Sequence, residues 1–156
     1  MKTKRFDWKA FVFFLLYTLA LGGLGAILGG QMDLDRFTQP PLTPPEWIFP
    51  VVWSILYVLM AVAAYLVYAS EDIDREAPLR LYLLQVIVNV LWPLFFFRLE
   101  WRLFAFGWLL LLLLLVVVVA LAFRPISKTA FYLFLPYIAW LIFAGYLNFS
   151  FYLLNR

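Results

Sequence analysis

The side chains able to do chemistry inside this chain's apolar stretches are amides, indoles and phenols. Gln85, Asn89 and Trp92 recur at spacings of four and three, and Trp140, Ala144 and Asn148 form a similar series further along. Residues so spaced share a helix face. A third stripe, Trp53, Tyr57, Ala61, Ala64 and Tyr68, combines aromatic rings with small residues. Such faces stack flat apolar molecules and hydrogen-bond their edges. They do not supply acid–base or nucleophilic catalysis. The sequence has no histidine and no cysteine, and its nine Asp and Glu residues all lie outside the apolar runs. Thiolate and imidazole metal sites, Cys or His haem ligation and a Ser-His-Asp triad are thereby excluded. An ion-coupled transporter, which needs a carboxylate at membrane depth, is disfavoured. No cofactor is expected to be required.

The elements that must position these stripes follow from hydropathy. Of 156 residues, 67% are hydrophobic and 13% charged, against about 25% charged in a soluble domain; mean hydropathy is +0.95. Uncharged runs cover 10–32, 47–70, 81–97, 103–123 and 129–155, each near the ~20 residues that cross a ~30 Å hydrocarbon core. The expected fold is an all-α, integral membrane bundle of five transmembrane helices, at about 8–30, 46–69, 79–97, 103–123 and 129–154, in a single domain, 1–156. Arg80 and Arg98 flank the shortest run and reach for the headgroups. The net charge of +3 does not indicate nucleic acid, because the basic residues sit at the ends of apolar runs, where lipid headgroups lie.

Lys2, Lys4 and Arg5 ahead of an apolar stretch would also suit a cleaved signal sequence. Thr18, Gly22, Gly25 and Gly29, at spacings of four, three and four, argue instead for a helix whose nearly bare face packs closely on a neighbour. Segment 31–46 contains Pro40, Pro41, Pro44 and Pro45 and cannot be helical throughout; an ordered strap or lid is expected. Pro50, Pro93 and Pro136 interrupt their helices, each freeing a carbonyl. The Leu- and Val-rich run 109–119 reads as a lipid-facing or generic packing helix. Trp8, Trp101 and Trp108 suit interfacial belts.

With Lys2, Lys4, Arg5, Lys9, Arg75, Arg80, Arg124 and Lys128 on one side and Arg36, Arg98, Arg102 and Arg156 on the other, charge asymmetry places the N-terminus inside and the C-terminus outside. A bacterial cytoplasmic membrane is expected. At ~1.5 Å per residue, Trp53, Asn89 and Asn148 lie about 10, 13 and 12 Å below the outer ends of their helices. One aromatic cavity under the strap is therefore expected, with Trp53 and Trp140 gripping a ligand and Asn89 and Asn148 orienting it.

Three segments resemble a known family. Pro44-Pro45-Glu46-Trp47-Ile48-Phe49-Pro50-Val51-Val52-Trp53-Ser54-Ile55-Leu56-Tyr57 is similar to the PPxWxFxxVWxxLY segment of the TspO/MBR family. The stretch 85–97, QVIVNVLWPLFFF, resembles its QLxxNxxWxxxFF helix, and 136–148, PYIAWLIFAGYLN, its PYxxWxxFAxxLN. The resemblance implies a five-helix membrane bundle, often a homodimer, whose cavity beneath the first long loop binds porphyrins such as protoporphyrin IX and benzodiazepine- or isoquinoline-type ligands. Family contact positions fall on Trp53, Asn89 and Trp140, with Ala144 beside them and Trp47 at the mouth; Tyr57, Trp92 and Asn148 join them by their position on the stripes. Cholesterol binding goes with eukaryotic members, and Leu147, Tyr152 and Arg156 fit only a loose sterol consensus.

The family loop often reads KPxWxPP, whereas this chain has Gln39-Pro40-Pro41-Leu42-Thr43-Pro44-Pro45. The lysine and the loop tryptophan are absent, which makes Arg36 the expected partner of a porphyrin propionate. A membrane receptor, sensor or transporter for a tetrapyrrole is the leading reading. The alternatives are light-dependent porphyrin breakdown, which some members promote, and a scaffold that docks a partner on Thr18, Gly22, Gly25 and Gly29.

Overall fold

In the computed structural model, which describes residues 6–156, the apolar runs form helices α1 (Trp8–Gly29), α2 (Ile48–Tyr68), α3 (Glu76–Pro93), α4 (Arg102–Phe123) and α5 (Lys128–Leu154). All five are long and apolar enough to cross a membrane. Lys2, Lys4 and Arg5, used in the charge asymmetry, lie outside the described residues.

Local chemistry sets the helix ends. The Asp7 carboxylate accepts from the Ala10 N–H at 3.1 Å, and Ser127 does the same for Ala130 at 3.2 Å, each satisfying an orphan donor of a first turn. Gly30 closes α1 at φ 77, a left-handed conformation that glycine adopts without a Cβ clash. Pro50 falls in the first turn of α2, where its missing N–H costs no helical bond. Pro93 ends the regular part of α3, and Leu94–Arg98 continues as a π turn. The third helix thus starts earlier than 79 and changes its hydrogen-bond register at the proline instead of running regularly to 97.

Around the bundle the helices follow the order α1, α2, α5, α4, α3, and α2 also touches α3 behind α1. In α4 the uniform Leu and Val run has a defined inner edge: Ala105, Leu109, Leu112, Val116, Val119 and Phe123 are buried, whereas Leu110, Leu111, Leu114 and Val118 are exposed. That buried series alternates steps of four and three, the spacing of a helix seam packed on α5.

The small residues of α1 are used inside the chain. A Cβ on Gly25 would stand 3.3 Å from the Val90 carbonyl oxygen, one on Gly29 would stand 2.8 Å from Pro93 Cβ, and one on Gly22 would overlap the Tyr57 ring. Thr18 is fully buried and meets the Tyr82 hydroxyl. The absent side chains let α1 lie against α3 along most of its length, so this face is not free to dock another protein.

At its other border α1 meets α2 at the Asp7 end and again where Gly22 faces the Tyr57 ring. Phe11 packs edge-on against Tyr65 with centroids 5.3 Å apart, and the Asp7 N–H donates to the Tyr65 hydroxyl at 3.0 Å. Toward the strap the two helices face each other across the glycines of α1, which leaves a wedge-shaped gap. The strap itself is latched. The Leu34 N–H donates to Glu46 Oε1 at 2.7 Å. Thr38 exchanges two bonds with the Asn155 amide, at 2.9 Å and 3.0 Å. The Arg102 guanidinium lies 4.3 Å from the centre of the Phe37 ring.

Candidate functional site

The wedge is a cavity of about 520 Å³ between α1, α2 and α3 at the root of the strap. Trp47, Trp53, Tyr57, Asn89 and Trp92 line it, together with Gly22 and Gly29 of the small-residue face. Close approach of α1 and α3 forms one wall; the bare glycine surface keeps the space opposite α2 open. Trp53 stacks on Tyr57 with centroids 5.6 Å apart and an interplanar angle of 29°, giving the α2 wall a flat aromatic face.

Behind that face lies a chain of hydrogen bonds. The Tyr57 hydroxyl donates to Asn89 Oδ1 at 3.1 Å, Asn89 Nδ2 donates to the Tyr137 hydroxyl at 2.6 Å, and that hydroxyl donates to Gln85 Oε1 at 3.2 Å. The network ties α2, α3 and α5 together, and its Asn89–Tyr137 and Tyr137–Gln85 bonds are buried, where a hydrogen bond is electrostatically stronger than in water. Tyr137→Phe would strand two buried amide groups at once, so a loss of about 1–3 kcal/mol is expected, measured as a lowered unfolding midpoint in mixed micelles.

The single hollow expected from the three stripes is divided. Asn148 is buried, accepts the Trp92 indole N–H at 3.0 Å and donates to the Arg102 carbonyl at 2.7 Å; it orients Trp92 from behind and does not line the cavity. Ala144 is buried in the α5 packing. Trp140 lies on a separate lipid-facing groove with Val52, Ile55, Pro136 and Phe143. Phe49 stands between the two spaces, lining the cavity and meeting Trp140 at 5.9 Å and 67°.

Helix geometry explains the split. Each four-residue step turns about 40° beyond a full turn, so Trp140 and Asn148 point about 80° apart on α5. The inward series of that helix is Tyr137, Leu141, Ala144 and Asn148, all buried. Trp53 accordingly meets Tyr137, with centroids 6.1 Å apart. Tyr137 belongs to the 136–148 segment, and its spacing to Leu141, Ala144 and Asn148 was the available signal. Glu46, Phe49 and Ser54 also line the cavity; nothing in their spacing marked them.

Arg36 is engaged elsewhere: it pairs with Asp33 at 3.1 Å and Glu100 at 3.5 Å and does not line the cavity. Among the described residues no Lys or Arg lines it, and its single carboxylate is Glu46. No group of three or more potential metal ligands occurs among the described residues.

Comparison with known proteins agrees with this architecture. The TspO/MBR family model matches residues 12–153. Protein CrtK of Rhodobacter capsulatus is 37% identical over 149 residues, 93% of this chain and 92% of its own. The tryptophan-rich sensory protein of Cereibacter sphaeroides is 34% identical over 144 residues, covering 92% and 90%. The translocator protein of Bos taurus is 34% identical over 139 residues, covering 83% and 82%. The family-model match takes in the cavity-lining parts of α1, α2 and α3 and the strap between the first two, and the chain belongs to the TspO/MBR family of integral membrane proteins.

Proposed function

We propose that this protein is a membrane receptor, acting as a sensor or transporter, for a flat hydrophobic ligand of the porphyrin class, with protoporphyrin IX as its representative. The observation that carries this reading is the cavity: its volume of about 520 Å³ lies within the ~300–1,000 Å³ of small-molecule sites. Its walls are mostly apolar, with Trp47, Trp53, Tyr57 and Trp92 supplying aromatic surface and Asn89 a hydrogen-bonded back. Stacking on indole and phenol rings suits a planar macrocycle. The open border between α1 and α2 suits a ligand that arrives from the lipid phase.

Lys9, Arg75, Arg80, Arg124 and Lys128 fall at one end of the bundle, with Arg36, Arg98, Arg102 and Arg156 at the strap end. Counted in the sequence with Lys2, Lys4 and Arg5 ahead of α1, eight basic residues against four support, by the positive-inside rule, an N-terminus in the cytoplasm and a cavity in the outward leaflet; the membrane of this reading is a bacterial cytoplasmic one. Protoporphyrin IX added to the protein in lipid nanodiscs should quench tryptophan fluorescence to a saturating limit. Linear, non-saturating quenching equal to that of empty nanodiscs with a soluble indole would rule the reading out.

A further inference from the structure

We propose that the cavity discriminates by charge, favouring tetrapyrroles whose carboxylates are esterified or absent over free dicarboxylates; this rests on the porphyrin-class reading above. The lining contains one carboxylate, Glu46, and among the described residues no cation. Its Oε1 accepts from the Leu34 N–H at 2.7 Å, which pins the carboxylate at the root of the strap, where it borders the space a ligand would occupy.

The neighbouring cations are held elsewhere. Arg36 pairs with Asp33 and Glu100, and Arg102 pairs with Glu100 at 3.4 Å while covering the Phe37 ring. Arg98 follows Phe97 but stays exposed and outside the lining.

Polar donors in the wall are also committed. Tyr57 donates to Asn89, the Trp92 indole to Asn148, and the Ser54 hydroxyl to the Pro50 carbonyl at 2.7 Å. The indole N–H groups of Trp47 and Trp53, with no bonded partner among the described residues, remain as neutral donors. A neutral donor suits an ester carbonyl. A carboxylate would lose its hydration without a compensating cation and would face the like charge of Glu46.

The test titrates wild-type and Glu46→Gln protein, in phosphatidylcholine nanodiscs at one pH, with protoporphyrin IX and with its dimethyl ester. The variant's amide oxygen can still accept from Leu34, and comparing variant with wild type for each ligand cancels partition into lipid. Glu46→Gln is expected to tighten the diacid about tenfold and to leave the ester unchanged. A diacid affinity that is unchanged or weaker in Glu46→Gln, or one that falls in Arg98→Gln, overturns the charge selection while porphyrin binding stands. If neither ligand saturates either protein, the porphyrin reading fails and takes this inference with it.

Discussion

Trp53→Leu is expected to weaken protoporphyrin IX binding about ten- to a hundredfold, whereas Trp140→Leu should leave the affinity within about twofold. Both substitutions replace an indole by the same aliphatic side chain in the same membrane, yet the two indoles occupy different surroundings. Trp53 stacks on Tyr57 and lines the cavity, so its loss removes aromatic area that a macrocycle would cover, on the order of 1.5–3 kcal/mol. Trp140 lies beyond Phe49 on the groove between α2 and α5. Fluorescence titrations of the two variants in nanodiscs provide the measurement. Equal losses would mean that Phe49 does not separate the two spaces in the ligand-bound protein.

Gly25→Leu is expected to damage the bundle severely, at about 3 kcal/mol or more, which is the upper end for overpacking a close contact. Its Cβ would already sit 3.3 Å from the Val90 carbonyl oxygen and 3.4 Å from Val90 Cα. These are backbone atoms of α3 and cannot rotate aside, so the extra carbons of leucine would push the two helices apart. The cavity wall that they form would move with them. Gly107→Leu is the matched control, because a Cβ there meets nothing within 4 Å; it should leave the unfolding midpoint near that of the wild type. Denaturant titration in mixed micelles, followed by circular dichroism, separates the two. Similar midpoints for Gly25→Leu and the wild type would show that α1 does not pack on α3 this closely.

Three elements show how far the sequence could be read. The strap was legible because four prolines between 40 and 45 preclude a regular helix, and the chain there has only one short helical turn, Leu34–Arg36. Its latch was not legible: Thr38 meets Asn155 and Pro41 meets Tyr146 across more than a hundred residues of chain. On α2, Trp53 and Tyr57 were recognisable as a shared face, since steps of four keep side chains together. On α5 the same spacing misled, because the rotation accumulated between Trp140 and Asn148 carried the indole to the lipid side of Phe49.

The length and hydropathy of the apolar runs determined the five spans, and the residue types within them determined that the spans themselves offer a ligand aromatic rings and amides and not acids, thiols or imidazoles. Only the tertiary structure decided that Tyr137 faces Trp53 while Trp140 does not, that Asn148 holds Trp92, and that Glu46 is the charge beside the cavity. In water a helix marks its buried face by being apolar there and polar elsewhere; lipid tails are as apolar as a protein core. In this chain hydropathy therefore set how far each helix runs and left its rotation about its own axis to packing against its neighbours.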